Sequence, residues 1–173
     1  RQDLAHLAVL ALAQDDGQPH VGPLLAVERR LDGAIAHALD LDAILATLLL
    51  AQMGFNPIVL ERGREVRRRT RDTWALWRHH TLTPESNVQF GEGGAGLFSD
   101  GKLYSQIKDP KFYGRKVMHE FVRAGAPPEI LYVSRPHIGT FRLAGVVTAM
   151  RREIVALGGE VRFESRVSDL IIE

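Results

Sequence analysis

Five glycines fall within eleven residues: Gly91, Gly93, Gly94, Gly96 and Gly101. They are five of the sixteen in a chain of 173. Glycine takes positive φ without a steric cost, so such a segment turns tightly and brings its backbone close to a neighbour. Successive N–H groups in a loop of this kind form anion-binding concavities. Ser99, Asp100 and Lys102 add polar partners, while Phe90, Leu97, Phe98, Leu103 and Tyr104 supply apolar bulk that a freely solvated loop seldom carries. The segment is therefore expected to line a ligand; the alternative is a mobile surface loop that binds nothing.

Two phosphate motifs overlap this cluster. Gly91-Glu92-Gly93-Gly94-Ala95-Gly96 spells G-x-G-x-x-G. The dinucleotide motif works because a strand leads in, a helix starts there, and an acid follows about 20 residues on. Here Leu97 to Gly101 reads as another turn, Asp109 comes too early, and Glu120 falls in a predicted helix. Gly96 to Leu103 spells G-x-x-x-x-G-K-L, with Leu103 where an NTPase loop needs Ser or Thr for magnesium. The NTPase reading is set aside on that missing ligand.

The rest of the composition is unexceptional, and that excludes several classes. Hydrophobic residues make up 45% and charged residues 25%, as in ordinary globular domains. At about 150 residues per domain the length suits a single unit. Lys and Arg number 22 against 21 Asp and Glu, a net charge of +1, so no global field favours nucleic acid or membrane. With no cysteine there is no disulfide, thiolate nucleophile or Cys-based zinc site. No signal peptide is visible. The longest apolar run, Ala43 to Ala51, is far short of the roughly 20 residues that span a bilayer. A cytoplasmic location is expected. The chain begins at Arg1, and Leu170-Ile171-Ile172-Glu173 reads like a strand still under way, so a piece of a longer protein is expected.

Apolar spacing predicts the elements. Ala5 to Ala13 and Ala34 to Leu39 have helical composition. Leu39 to Met53 is rich in Ala, Leu and Ile, strong helix formers, and Gly54 stops it. Pro57-Ile58-Val59-Leu60-Glu61 is an apolar run without alternation, as in a buried parallel strand. Val66, Thr70, Trp74 and Trp77 fall at helical spacing, with both tryptophans expected to pack. Residues 81–111 read as loop, and 116–124 as a helix. Leu143, Val147, Met150, Ile154 and Leu157 mark one face of a helix over 141–157. Residues 160–164 and 167–172 are strand-like. Helices interleaved with strands imply an α/β fold.

Six arginines in ten residues (Arg62, Arg64, Arg67, Arg68, Arg69, Arg71) read as a solvated helix face paired with Glu65 and Asp72. A nucleic-acid patch is the alternative. None of the seven histidines forms an H-x-x-x-H pair, and no G-x-S-x-G elbow exists.

Several segments resemble one family. Pro57-Ile-Val-Leu-Glu61-Arg-Gly63 looks like the second strand of an FAD-binding domain. Pro84 to Tyr104 resembles a long motif of the uncharacterised FAD-dependent dehydrogenases, relatives of the two-domain flavoprotein oxidoreductases. Ala124-Gly-Ala-Pro, Arg135-Pro-His-Ile-Gly-Thr-Phe141 and Leu157 to Leu170 also resemble that family. The likeness covers Leu48 to Glu173. It implies a partial Rossmann-like FAD/NAD(P)-binding domain over 43–173, with 1–42 unassigned. It implies oxidoreductase activity for the parent, with FAD as cofactor and an unknown substrate and electron acceptor. Glu61, with Arg62 beside it, would meet the FAD ribose. Gly91, Glu92, Gly93, Gly94, Ala95 and Gly96, with Ser99, Asp100, Gly101 and Lys102, would pass the flavin side. Val167 would meet the adenine.

One departure stands out. In that family the glycine fingerprint precedes the ribose acid by about 25 to 30 residues. The window Arg30 to Asp42 holds Gly33 alone and three aspartates, with no Val- and Ile-rich strand leading in. Carboxylates there would repel a pyrophosphate. The first strand and fingerprint are thus expected to be degraded or missing, through a frame error or junction before Leu48. The chain as written is expected to hold FAD poorly or not at all, and a non-enzymatic α/β module is the alternative reading.

Overall fold

A computed structural model describes residues 35–37, 41–103 and 109–169. Among these, three short strands run in the order β1 Ile35–His37, β2 Ile58–Leu60 and β3 Glu160–Arg162. Four α-helices accompany them: α1 Leu41–Gln52, α2 Val66–His79, α3 Tyr113–Arg123 and α4 Thr140–Ala156. Single 3-10 turns cover Ala95–Phe98 and Pro128–Leu131. The strands form one parallel sheet with β2 in the middle. Ile58 pairs with Ile35 on one side and Glu160 on the other. The fold is α/β, as the alternation of elements implies.

The first strand corrects the sequence reading. Ile35–His37 pairs in parallel with β2 where Ala34 to Leu39 suggested helix and no leading strand was expected. Three residues flanked by alanine carry too little β-branched pattern to declare themselves. Sheet pairing overrides local propensity here.

The core lies between α1 and α4, which pack against each other. Ile44 and Leu48 on α1 meet a stripe of Leu143, Val147, Met150 and Ile154 on α4, all without solvent exposure. The predicted stripe is present with one exchange: Val146 is buried, while Leu157 lies past the helix and is exposed. Thr47 sits inside the apolar run of α1 without a polar penalty, because its hydroxyl donates to Ala43 O at 2.6 Å. Gly54 ends α1 at φ +88°, and Phe55 N–H reaches back to Leu50 O, satisfying a terminal carbonyl.

Helix α2 buries a different face from the one expected. Val66, Arg69 and Thr73 point inward, while Trp74 and Trp77 are about half exposed. The tryptophans meet edge to face, and Trp77 meets Phe98 in the same way at 5.6 Å. Helix α3 starts where the Asp109 carboxylate accepts the N–H groups of Tyr113 and Gly114. Its Glu120 is buried, accepting from Gln52 on α1 and from Lys116 and Arg123 on α3 itself.

The expected strand 160–164 is confined to Glu160–Arg162, and residues 167–169 carry no regular structure. The helix expected at Ala5 to Ala13, Tyr104 and Leu170 to Glu173 lie outside the described residues. Among the described residues no helix is long and apolar enough to cross a membrane.

Candidate functional site

The glycine loop sits beside the carboxyl end of β2, and a buried arginine fastens it there. Glu61 follows β2 directly and is 2% exposed. Its Oε1 accepts N–H groups from Gly63 at 2.6 Å and Gly91 at 3.0 Å. Arg69, fully buried on α2, donates to four backbone carbonyls of the loop. Nε meets Asn87 O, NH2 meets Val88 O, and NH1 meets both Gly91 O and Glu92 O. Its guanidinium also lies over the Phe98 ring at 4.9 Å.

Burial pushes the Arg69 guanidinium down to about 10, against the opposing pull of Glu61 and Glu92. It remains charged at neutral pH. A buried cation is tolerated only when paired and fully hydrogen-bonded, and the loop carbonyls and two acids meet that demand.

Glu92 is the second anchor. It is wholly buried. Oε2 accepts the N–H of Val66 at 2.8 Å, and Oε1 accepts from Arg151 Nε on α4 at 2.6 Å. One carboxylate thus satisfies an orphan amide at the N-terminus of α2 and ties the loop to α4. Glu65, the N-cap residue, makes no such side-chain bond.

The glycines have individual reasons. Gly91 has φ +122°, and a Cβ there would fall 2.4 Å from Arg69 Cδ. At Gly63 a Cβ would fall 2.5 Å from the Gly91 backbone. Gly93 and Gly94 are buried, whereas Ala95 and Gly96 enter the 3-10 turn at the surface. Many amides of the expected anion nest serve the protein itself. Glu92 N–H meets Arg64 O, Gly94 N–H meets Gly91 O, and Leu97 N–H meets Gly93 O. Leu97 is buried and Phe98 and Leu103 pack against the core, so the apolar residues of this loop do hold it down.

The downstream part of the loop meets another family-like segment. Lys102 and His137 form an isolated antiparallel bridge. Leu103 N–H meets Pro136 O, Ile138 N–H meets Gly101 O, and Gly139 N–H meets Asp100 O. Gly101, at φ +61°, fits against Ile138 and Leu143. Ser99 is exposed and donates to Gly96 O. Asp100 and Lys102 are exposed as well. Val167 lies past β3, partly exposed and outside any regular element.

The arginine run divides. Arg62 forks onto Glu85 and lies over the Phe90 ring at 3.8 Å. Arg64 pairs with Asp72 and Glu164, and Arg68 with Glu164. The Arg64–Asp72 pair is the one expected from sequence and Arg67, Arg68 and Arg71 are exposed; the solvated-face reading is wrong for Arg69, which is buried. The paired acids lie as far as 100 residues away, beyond the reach of local spacing rules. The sequence also left unflagged Arg151, Thr83, Ser86, Glu164 and Arg166; Ser86, Glu164 and Arg166 lie within the family-like segments, whereas Thr83 and Arg151 carried no signal.

No protein-family profile matches the chain. It is 51% identical over 127 residues to an uncharacterized protein of Clostridium beijerinckii. That match covers 73% of this chain and 24% of the relative, so the chain spans about a quarter of the length of the curated protein it matches.

Proposed function

We propose that the chain derives from an FAD-dependent oxidoreductase and forms the adenosine-side part of a Rossmann-like cofactor-binding region that has lost its hold on the cofactor. The observation that carries this reading is the parallel order β1-β2-β3, with the middle strand ending in a buried acid. A dinucleotide-binding half places its second strand between the first and third, and its acid at the end of that second strand. The resemblance at Pro57 to Gly63 and Pro84 to Tyr104 supplies the family.

The residues present do not fit FAD as folded. Glu61 is buried and its Oε1 is spent on two backbone amides, not offered to ribose hydroxyls. Close backbone approach at Gly91 is taken by the Arg69 side chain, and at Gly93 by Leu97. The connection from β1 to α1 runs His37-Ala-Leu-Asp-Leu41 with no glycine, and a carboxylate there opposes a pyrophosphate. No redox step is assigned to this chain. In the parent, the flavin would supply the redox chemistry and the protein its position. Location in the cytoplasm belongs to the same proposal.

The test uses two proteins. Purified under the same conditions with added FAD, the Clostridium relative is expected to show a flavin spectrum and this chain none. A relative that takes up no FAD overturns the family reading. Stoichiometric FAD on this chain overturns the loss of binding.

A further inference from the structure

We propose that the outer face of α2 binds single-stranded nucleic acid, with phosphates held by Arg67, Arg71 and Arg78 and a base stacked on Trp74. None of these residues enters the flavin reading, so the proposal stands whether or not that reading does.

The stripe follows from helix geometry. Positions 67, 71, 74 and 78 recur at i, i+4, i+7 and i+11, which sets them in one line along the helix. Arg67, Arg71 and Arg78 are exposed, and Trp74 is 42% exposed. At about 1.5 Å per residue the line is about 16 Å long, enough to follow a short stretch of strand.

The charge on this line is uncompensated. The two acids nearest in sequence are engaged away from it: Asp72 pairs with Arg64, and Glu65 with Arg151 on α4. Among the described residues no acid pairs with Arg67, Arg71 or Arg78. The whole chain carries a net charge of +1, so the excess is local to this face. Helix stability does not account for it. Like charges one turn apart weaken a helix, and Arg67 stands in the first turn of α2, where the macrodipole disfavours a cation. An anionic partner relieves both costs, and planar guanidinium forks match phosphate oxygens.

Trp74 narrows the choice of anion. Arg78 lies over its ring at 4.2 Å, and Trp77 meets it edge to face at 6.2 Å. The indole is thus braced by two neighbours while part of it stays open. Trp77 beside it is 54% exposed. An acidic polypeptide would satisfy the guanidiniums and leave the indoles unused. A single strand brings phosphates and unpaired bases together, and a base stacks on an aromatic ring whatever its sequence. A duplex keeps its base faces inside the stack and offers this face its phosphates alone.

Fluorescence anisotropy of the full 173-residue chain with a labelled oligothymidylate of about 15 nucleotides tests the face. Binding is expected with a Kd of about 100 µM or tighter in about 50 mM salt. Phosphate contacts from the three arginines give a slope of log Kd against log salt of about 2. Trp74 and Trp77 are the two tryptophans of the chain, so tryptophan emission is expected to be quenched on binding. Arg67→Ala combined with Arg71→Ala is expected to weaken binding and lower the slope to about 0.7. That variant should melt no lower than the parent, since it removes a repelling pair. Trp74→Ala is expected to keep the slope, weaken binding about fivefold or more, and leave the circular dichroism spectrum unchanged. No saturable binding overturns the proposal, and so does binding that either variant leaves unchanged. A duplex of the same length, or poly-L-glutamate, binding as tightly as the oligothymidylate assigns the face to any polyanion and overturns single-stranded nucleic acid as its ligand.

Discussion

Arg69 and Gly91 occupy one another's space: NH1 of the arginine donates to Gly91 O at 3.1 Å, and its Cδ lies 2.4 Å from where a Cβ at 91 would stand. Gly91→Ala therefore sets a methyl against a buried cation at φ +122°, a conformation alanine also resists. Relief requires moving Arg69 off its carbonyls. The expected loss is about 3 kcal/mol or more, read as a lower urea midpoint with unchanged slope.

Removing the cation tests the same contact from the other side. Arg69→Met keeps much of the volume but leaves the carbonyls of Asn87, Val88 and Glu92 without the donor it supplied, and Gly91 O with Gly94 N–H alone. A loss of about 3 to 5 kcal/mol is expected. Arg69→Lys is expected to recover little, because an ammonium cannot span carbonyls that a planar fork reaches together. Melting temperatures of both variants close to that of the parent chain would show that the loop holds itself.

Glu92 joins α2 to α4, so its two oxygens can be separated by substitution. Glu92→Gln retains an acceptor for Val66 N–H but loses the charge facing Arg151, and should cost about 1 to 3 kcal/mol. Glu92→Ala should cost more, since the amide is then also unsatisfied. A double-mutant cycle with Arg151→Met is expected to show coupling of about 0.5 to 3 kcal/mol. Additive losses would mean that the two side chains act separately.

Glu120 predicts an acid-side weakness. Burial raises its pKa, but hydrogen bonds from Lys116 and Gln52 and the charges of Lys116 and Arg123 outweigh it, so the net displacement is downward from 4.5. A folded value below the unfolded one means the contribution is complete above about 4.5 and fades as pH falls through the folded value. Stability measured by denaturant between pH 6 and pH 3, taken as approximate limits, should fall less steeply in Glu120→Gln than in the parent. Parallel slopes would remove Glu120 from the acid response.

How much of this was legible depends on where the cause lay. Helix α4 announced itself because Leu143, Val147, Met150 and Ile154 repeat a local period that burial then uses. The strand β2 did so because an apolar run ends in an acid. Strand β1 did not, since its three residues owe their state to pairing with Ile58 to Leu60. Arg69 was indistinguishable within its run. What sets it apart is the 87–92 loop that folds over it, and no spacing rule reaches that far. The glycine cluster was found; that Gly91 packs against Arg69 and Gly101 against Ile138 was not, because those neighbours are distant in sequence.

His80 offers a gain. It ends α2 in the left-handed region at φ 54°, with its N–H on Leu76 O. Glycine takes that conformation without a Cβ penalty, so His80→Gly is expected to raise stability by about 1 kcal/mol. A melting temperature unchanged or lowered would show that the histidine ring contributes something at the exposed end of the helix.

The bond from Val66 N–H to Glu92 has a kinetic corollary. The first turn of α2 and the loop from Asn87 to Glu92 share their hydrogen-bond partners through Arg69 and Glu92, so neither can open alone. Their amides belong to one exchange unit. Deuterium should enter Gly91, Glu92 and Val66 at a common opening free energy, although the first two lie in a loop and the third at a helix end, where amides ordinarily exchange first.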